Sequence, residues 1–169
     1  MYRIENIQPL NWIKPAANYL VLISPESIPH LAIVSKGRYY SLTHKKAQIG
    51  EDFKPYFDFL KRTKRKVLFI KFDADIEDVE SVFQQYEKAV VGKITCLHPI
   101  KNILAPKSKA DYIFDLLPEL ESRGIIEESF QINMEDLIDS NNRFVLNTYD
   151  KDDIYAYIET LNEKYAKRG

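Results

Sequence analysis

The sequence predicts an α+β fold in which helices pack on an antiparallel sheet. Three observations support this prediction. Short apolar runs of strand length dominate the first half, and amphipathic helical patterns dominate the second. The chain contains 11 Tyr, 9 Phe and one Trp, residues that favour strands and a wide apolar core. Its 169 residues suffice for one ordinary domain but hardly for two, so we interpret residues 1–169 as a single domain.

The first half contains four predicted strands and one helix. The strands are expected at 19–23, His30–Ser35, 38–43 and 66–72. Lys36 and Gly37 separate the second strand from the third and predict a tight hairpin turn. Apolar residues at Phe53, Phe57 and Leu60 recur at helical spacing and predict a short helix over 51–60.

The second half is expected to be mostly helical. Asp75 can cap a helix over 76–90, and Ser108 can cap a second helix that ends at Arg123, before Gly124. Strands are predicted at 125–132 and 143–149, with a short helix at 134–140 between them. Asp150 can cap a final helix, whose apolar side would hold Ile154, Tyr157, Ile158, Leu161 and Tyr165.

The formal net charge of −1 conceals a strong asymmetry along the chain. Residues 1–72 carry 13 Lys and Arg against 5 Asp and Glu, whereas residues 73–169 carry 11 against 20. The basic run at 61–66 is interpreted as a solvated face that pairs with the acidic half, in the same chain or in a second copy. Contact of this run with phosphate or anionic lipid is the alternative, and a homo-oligomer joined through the two halves is possible.

Several classes of protein are disfavoured. The balanced total charge does not steer the chain to nucleic acid. A winged-helix interpretation of the helix ending at Arg123 and the strands after it meets an acidic helix, which does not suit DNA. The longest apolar runs, 19–23 and 67–70, are too short to span a bilayer. With no apolar leader visible, we expect a cytoplasmic protein whose only cysteine is reduced.

Few residues could carry covalent chemistry. Cys96 precedes a short predicted helix with Pro99 in its first turn, and a helix N-terminus favours a thiolate. His30 opens a strand whose hairpin partner returns beside it. Ser41 or Thr43 could therefore hydrogen-bond the imidazole and fix its tautomer.

The segment 27–42, SIPHLAIVSKGRYYSL, resembles the histidine strand, glycine turn and second strand of circularly permuted papain-like proteins. These include the NlpC-type hydrolases and the relatives of lecithin:retinol acyltransferase. The resemblance covers residues 17–105 and leaves 106–169 as an appended helix–strand region. It implies a permuted papain-like arrangement and a cysteine-dependent hydrolase or acyltransferase.

By this resemblance, Cys96 would be the nucleophile, His30 the general base and Ser41 the third residue, with His44 as an alternative to Ser41. The thiolate would attack an amide or ester carbonyl of a small-molecule, peptide or lipid-like acyl substrate, while backbone N–H groups at the helix start held the oxyanion. No cofactor is implied.

Two further alternatives stay open. One is a non-catalytic protein with a papain-like shell that makes protein or anionic-ligand contacts. The other is a metal site in which Cys96 and His98 join His30 or His44. The spacing of these residues lacks the paired pattern of ordinary zinc sites, so we expect no bound metal.

Overall fold

A computed structural model describes residues 1–76 and 78–166 of the chain. The strands among these residues are β1 (Tyr2–Ile4), β2 (Gln8–Pro9), β3 (Asn18–Ile23), β4 (His30–Ser35), β5 (Arg38–Leu42), β6 (Ala47–Asp52), β7 (Val67–Phe72), β8 (Ile126–Ile132) and β9 (Phe144–Leu146). The helices are α1 (Phe53–Arg62), α2 (Val79–Gln84), α3 (Leu97–Leu104), α4 (Ile113–Ser122) and α5 (Lys151–Ala166).

Seven strands form one sheet in the order β2-β8-β7-β3-β4-β5-β6, and β1 pairs with β9 in a separate two-stranded sheet. All neighbouring strands are antiparallel except the parallel pair of β2 and β8. The expected α+β class is therefore confirmed. The sequence did not predict β1, β2 or β6.

Strand β3 lies between β4 and β7 and sends alternate side chains into two cores. Leu20 and Leu22 enter the core beneath α2, α3 and α4, which we call the three-helix core. Tyr19, Val21 and Ile23 enter the core beneath α1, which we call the α1 core. Because both faces of the sheet are covered, its central strands consist of nearly continuous apolar runs.

Helix α1 begins two residues later than predicted because β6 continues through Asp52. The Asp52 carboxylate accepts the backbone N–H of Lys54 at 3.4 Å and so caps the helix. The helix packs on the sheet through three buried residues, Phe53, Phe57 and Leu60. This is the apolar face that the sequence predicted.

The helix expected at 76–90 is much shorter in the structure. Asp78 rather than Asp75 provides the cap, since its carboxylate accepts a backbone N–H of the first turn at 3.0 Å. Beyond α2, the backbone of Glu87 and Ala89 hydrogen-bonds to the β5–β6 turn at 3.0 and 2.8 Å. These bonds replace the helical ones and end the helix.

Three other predictions, one cap and two elements, were wrong in whole or in part. Ser108 does not cap α4; its hydroxyl accepts the N–H of Ala110 at 3.1 Å and closes a separate turn. Helix α4 does end before Gly124, whose φ is +70°. The helix expected at 134–140 is a turn closed by backbone bonds to the carbonyl of Met134, and the strand expected at 143–149 is reduced to β9.

The final helix starts where the sequence predicted. Asp150 and Asp153 cap each other, each carboxylate accepting the other's backbone N–H at 2.9 Å. The predicted apolar side of α5 is half-buried at Ile154, Tyr157, Ile158 and Leu161. The side chain of Tyr165 lies outside the described part of the chain.

The described part of the region 106–169, up to residue 166, packs on the same sheet and core as 17–105. Strand β8 pairs along its length with β7, and α4 buries Ile113, Leu116 and Leu117 in the three-helix core. Among the described residues, no helix combines the length and apolar character needed to cross a membrane.

The β4–β5 turn allows a test of backbone strain at Lys36. Lys36 and Gly37 have φ of +52° and +76°, as a two-residue hairpin turn requires, and lysine is strained in this region. Asparagine tolerates it, so Lys36→Asn should raise the free energy of unfolding by about 0.5–1 kcal/mol in urea titrations. Lys45→Asn, in an exposed turn residue without positive φ, is the charge-matched control. Equal effects of both substitutions would contradict the prediction.

Candidate functional site

Three polar side chains form a hydrogen-bonded row across β4, β5 and β6. The register places Ser41 opposite Ala32 on β4 and opposite Gln48 on β6. Because Ala32 belongs to the α1 core, the side chains of Ser41 and Gln48 also lie on the α1 face of the sheet. His30 is two residues before Ala32 and shares that face. Its Nε2 lies 3.1 Å from Ser41 Oγ, which in turn donates to Gln48 Oε1 at 2.7 Å. Strand pairing therefore brings His30 and Ser41 together, as the hairpin predicted.

The direction of these bonds fixes the tautomer of the imidazole. Because the single hydroxyl hydrogen of Ser41 goes to Gln48, His30 must donate its Nε2–H to Ser41 Oγ. Burial, with the nearby Arg65 cation as a second cause, lowers the pKa of His30 to about 4. The imidazole is therefore neutral at pH 7, and its Nε2 is a donor to Ser41 rather than a base for it.

Tyr39 and Tyr56 lie beside this row. Their ring centroids are 5.1 Å apart, and Tyr39 also stacks on Phe53 at 5.5 Å. Burial raises the pKa of both phenols, so both rings are neutral. Ser41 has no exposed surface. The Ser41 hydroxyl is thus enclosed and cannot meet a substrate from solvent, whereas His30 and Gln48, at the two ends of the row, are half-buried.

Cys96 occupies the opposite side of the sheet. It directly precedes α3, as predicted, and packs against the three-helix core together with Leu31. Burial raises the pKa of the Cys96 thiol, and the backbone amide of Leu31 only partly opposes this effect. The hydrogen bonds of the described residues include none between the Cys96 sulfur and His30.

The two other histidines lie apart from the row. His44 is exposed in the turn between β5 and β6, so it is not the partner of His30. His98 Nδ1 accepts the backbone N–H of Thr95 at 2.9 Å and closes the first turn of α3. In residues 1–76 and 78–166, no three His, Cys, Asp or Glu side chains are grouped to hold a metal ion.

Sequence reasoning missed Gln48, the residue that accepts the Ser41 hydroxyl. The signal was weak because β6 is an edge strand in which only Ile49 is a large apolar residue. Tyr39 and Tyr56 were equally unmarked, since aromatic residues in a strand and a helix are ordinary core material.

A second candidate region is the positively charged surface at the C-terminal end of α1. We call it the basic surface and define it by Lys61, Arg62, Lys64, Arg65 and Lys66. Lys66 pairs with Asp136 at 2.9 Å, and elsewhere Lys71 pairs with Glu127 at 3.1 Å. These pairs join the basic and acidic halves of the chain as expected, but they neutralise little of the basic surface.

The two helical members of the basic surface lie over aromatic rings. The Lys61 ammonium is 5.4 Å from the centre of the Phe57 ring, and the Arg62 guanidinium is 5.9 Å from that of Phe59. Phe59 is 46% exposed. The basic surface therefore includes an aromatic ring open to solvent.

Comparison with protein-family models, curated proteins and solved structures finds no match to this chain. The resemblance to permuted papain-like proteins thus rests on the residues quoted above.

The lowered pKa of His30 leads to a prediction of how the free energy of unfolding depends on pH. The His30 pKa of about 4 in the folded state lies below the ordinary value of about 6.5, so the unfolded chain binds the proton at higher pH. Stability from this group is complete above pH 6.5 and declines as the pH falls towards 4. Between pH 7 and 5, the wild type should lose about 2 kcal/mol more unfolding free energy than His30→Gln. Equal losses in urea titrations at the two pH values would contradict the neutral buried state.

Proposed function

We propose that this protein is a non-catalytic binding protein that holds an anionic ligand on its basic surface. The observation that carries the proposal is the lack of a thiol–imidazole pair among the described contacts: Cys96 packs against the three-helix core, and the imidazole of His30 is bonded to Ser41 on the α1 face. A thiol–imidazole pair needs hydrogen-bond reach between sulfur and nitrogen, and the hydrogen bonds of the described residues include none between these two groups.

The protonation states support the same conclusion. A catalytic thiol has a lowered pKa, whereas burial raises the pKa of Cys96. The His30 Nε2 is engaged as a donor to Ser41, and the Ser41 hydroxyl is fully buried. The three residues therefore suit a hydrogen-bonded sheet interior better than acyl transfer.

Charge supports the binding half of the proposal. Five cations lie within six consecutive residues, interrupted only by Thr63. The C-terminal end of a helix attracts one or two cations through its dipole, and Lys61 and Arg62 already lie in the last turn of α1. The three cations beyond the helix are not needed for that purpose; Lys66 pairs with Asp136, and Lys64 and Arg65, which have no acidic partner among the described ion pairs, are available to an anionic ligand.

Retention on heparin–Sepharose tests the basic surface. With a net charge of −1, the chain should bind this polyanion only through a local concentration of cations. The double variant Lys61→Glu/Arg62→Glu should elute at a clearly lower salt concentration than the wild type. Lys107→Glu/Lys109→Glu, a charge-matched change at exposed positions away from α1, should not. Absence of wild-type retention, or equal shifts in the two variants, would refute the proposal.

Cysteine-dependent acyl transfer on an amide or ester is the second candidate function. One observation favours it: Cys96 precedes a helix N-terminus and lies near the amide of Leu31, the residue after His30. The permuted papain-like arrangement belongs to this candidate.

Labelling with iodoacetamide separates the two candidates. On the first proposal, native Cys96 should react far more slowly at pH 7.5 than after unfolding in guanidinium, because its thiol is buried and protonated. His30→Ala, with a fold checked by circular dichroism, should not slow the reaction further. Rapid native labelling that His30→Ala abolishes would instead establish the second candidate.

A further inference from the structure

A cavity of about 430 Å³ opens beside the basic surface. Its walls come from the residues after β3, the turn between α1 and β7, and the last turns of α5. Lys64, Arg65, Lys66 and Lys164 line it together with one acid, Glu26, and Lys66 also pairs with Asp136 outside the wall at 2.9 Å. Ser24, Thr63, Tyr157 and Leu161 complete the wall. We propose that this cavity binds a phosphate monoester, with the phosphate among the cations and the organic part against Tyr157 and Leu161.

The inference rests on the proposed function and names its ligand. Several cations around a small volume favour a dianion over a single carboxylate, since each negative charge offsets part of their mutual repulsion. The two apolar side chains of the wall, Tyr157 and Leu161, come from α5, whereas three of the cations come from the turn between α1 and β7. This division of the wall fits a ligand with one charged end and one apolar end.

Arg65 is oriented within the wall. Its Nε donates to Ser24 Oγ at 3.0 Å, which fixes the guanidinium plane and leaves its terminal N–H groups for another acceptor. Ser24 Oγ accepts this bond and, in the described contacts of the chain, donates none, so its hydroxyl hydrogen is available to a phosphate oxygen. A fixed guanidinium beside a free hydroxyl is a common arrangement for phosphate oxygens.

The backbone at the cavity is strained at two places. The N–H of Arg65 bonds to the Leu60 carbonyl at 3.0 Å, and Lys64 occupies the left-handed position of this helix-ending motif with φ of +57°. Glycine is the usual residue there. Ser24 also has a left-handed φ, of +58°. Glycine in place of Lys64 would relieve the strain but remove the lysine side chain from the cavity wall.

Isothermal titration of the full chain with phenyl phosphate, inorganic phosphate and benzoate tests the inference. Phenyl phosphate should bind most tightly, inorganic phosphate more weakly and benzoate least. Arg65→Lys keeps the charge but loses the planar fork, and it should raise the Kd for phenyl phosphate about tenfold. Lys164→Gln should weaken binding similarly, while Lys107→Gln is the control at an exposed site away from the cavity.

Lys64→Gly separates binding from folding. Relief of the strained φ should raise the midpoint of thermal unfolding by about 2–4 °C, while the Kd for phenyl phosphate increases several-fold. If the variant binds as tightly as the wild type, Lys64 does not hold the ligand and the inference fails. Retention on heparin without phenyl phosphate binding would overturn this inference and leave the proposed function standing. Loss of both would overturn the two together.

Discussion

The fold depends on a sheet that is buried on both faces. Each step along β3 and its neighbours transfers a side chain from one core to the other, so a slip of one residue would exchange the two sets completely. Leu22 and Ile23 pair with Leu31 and His30, and that register sends Leu31 towards α3 and His30 towards α1. The same register that fills the two cores therefore places Leu31, whose backbone amide hydrogen-bonds the Cys96 thiol, directly beside His30 in the strand.

Local signals in the sequence were sufficient for much of this structure. The apolar run of β3, the Lys36–Gly37 hairpin and the Asp150 cap each depend on a few adjacent residues, and each was predicted. Contacts between segments that are distant in the sequence were not predicted. Strand β2 pairs with β8, about 120 residues later, and its two residues are too few to show a strand pattern in the sequence. The position of Cys96 relative to His30 depends on the path of α1, β7 and α2 between them, which no spacing in the sequence encodes.

The candidate sites differ in how their polar groups are satisfied. Inside the sheet, His30, Ser41 and Gln48 satisfy one another, and the described residues contain no buried side-chain polar atom without a partner. Such a row stabilises one register, because a shifted strand would leave its members unpaired. At the C-terminal end of α1, by contrast, cations are gathered with few acids to match them. The sequence showed this surface plainly as a charge run, and the hairpin predicted the pair of His30 and Ser41, but not Gln48, which comes from a third strand.

The two ends of the seven-stranded sheet also decide how the chain behaves beside other copies of itself. An exposed edge strand offers unpaired N–H and C=O groups to any neighbouring chain. Here β2 is two residues long and ends in Pro9, which has no N–H to offer. At the other edge, β6 carries an irregularity in its pairing with β5, a left-handed Gly50 and the charged residues Glu51 and Asp52, while the segment after α2 bonds to its first residue. Both edge strands, β2 and β6, are therefore poor templates for strand addition.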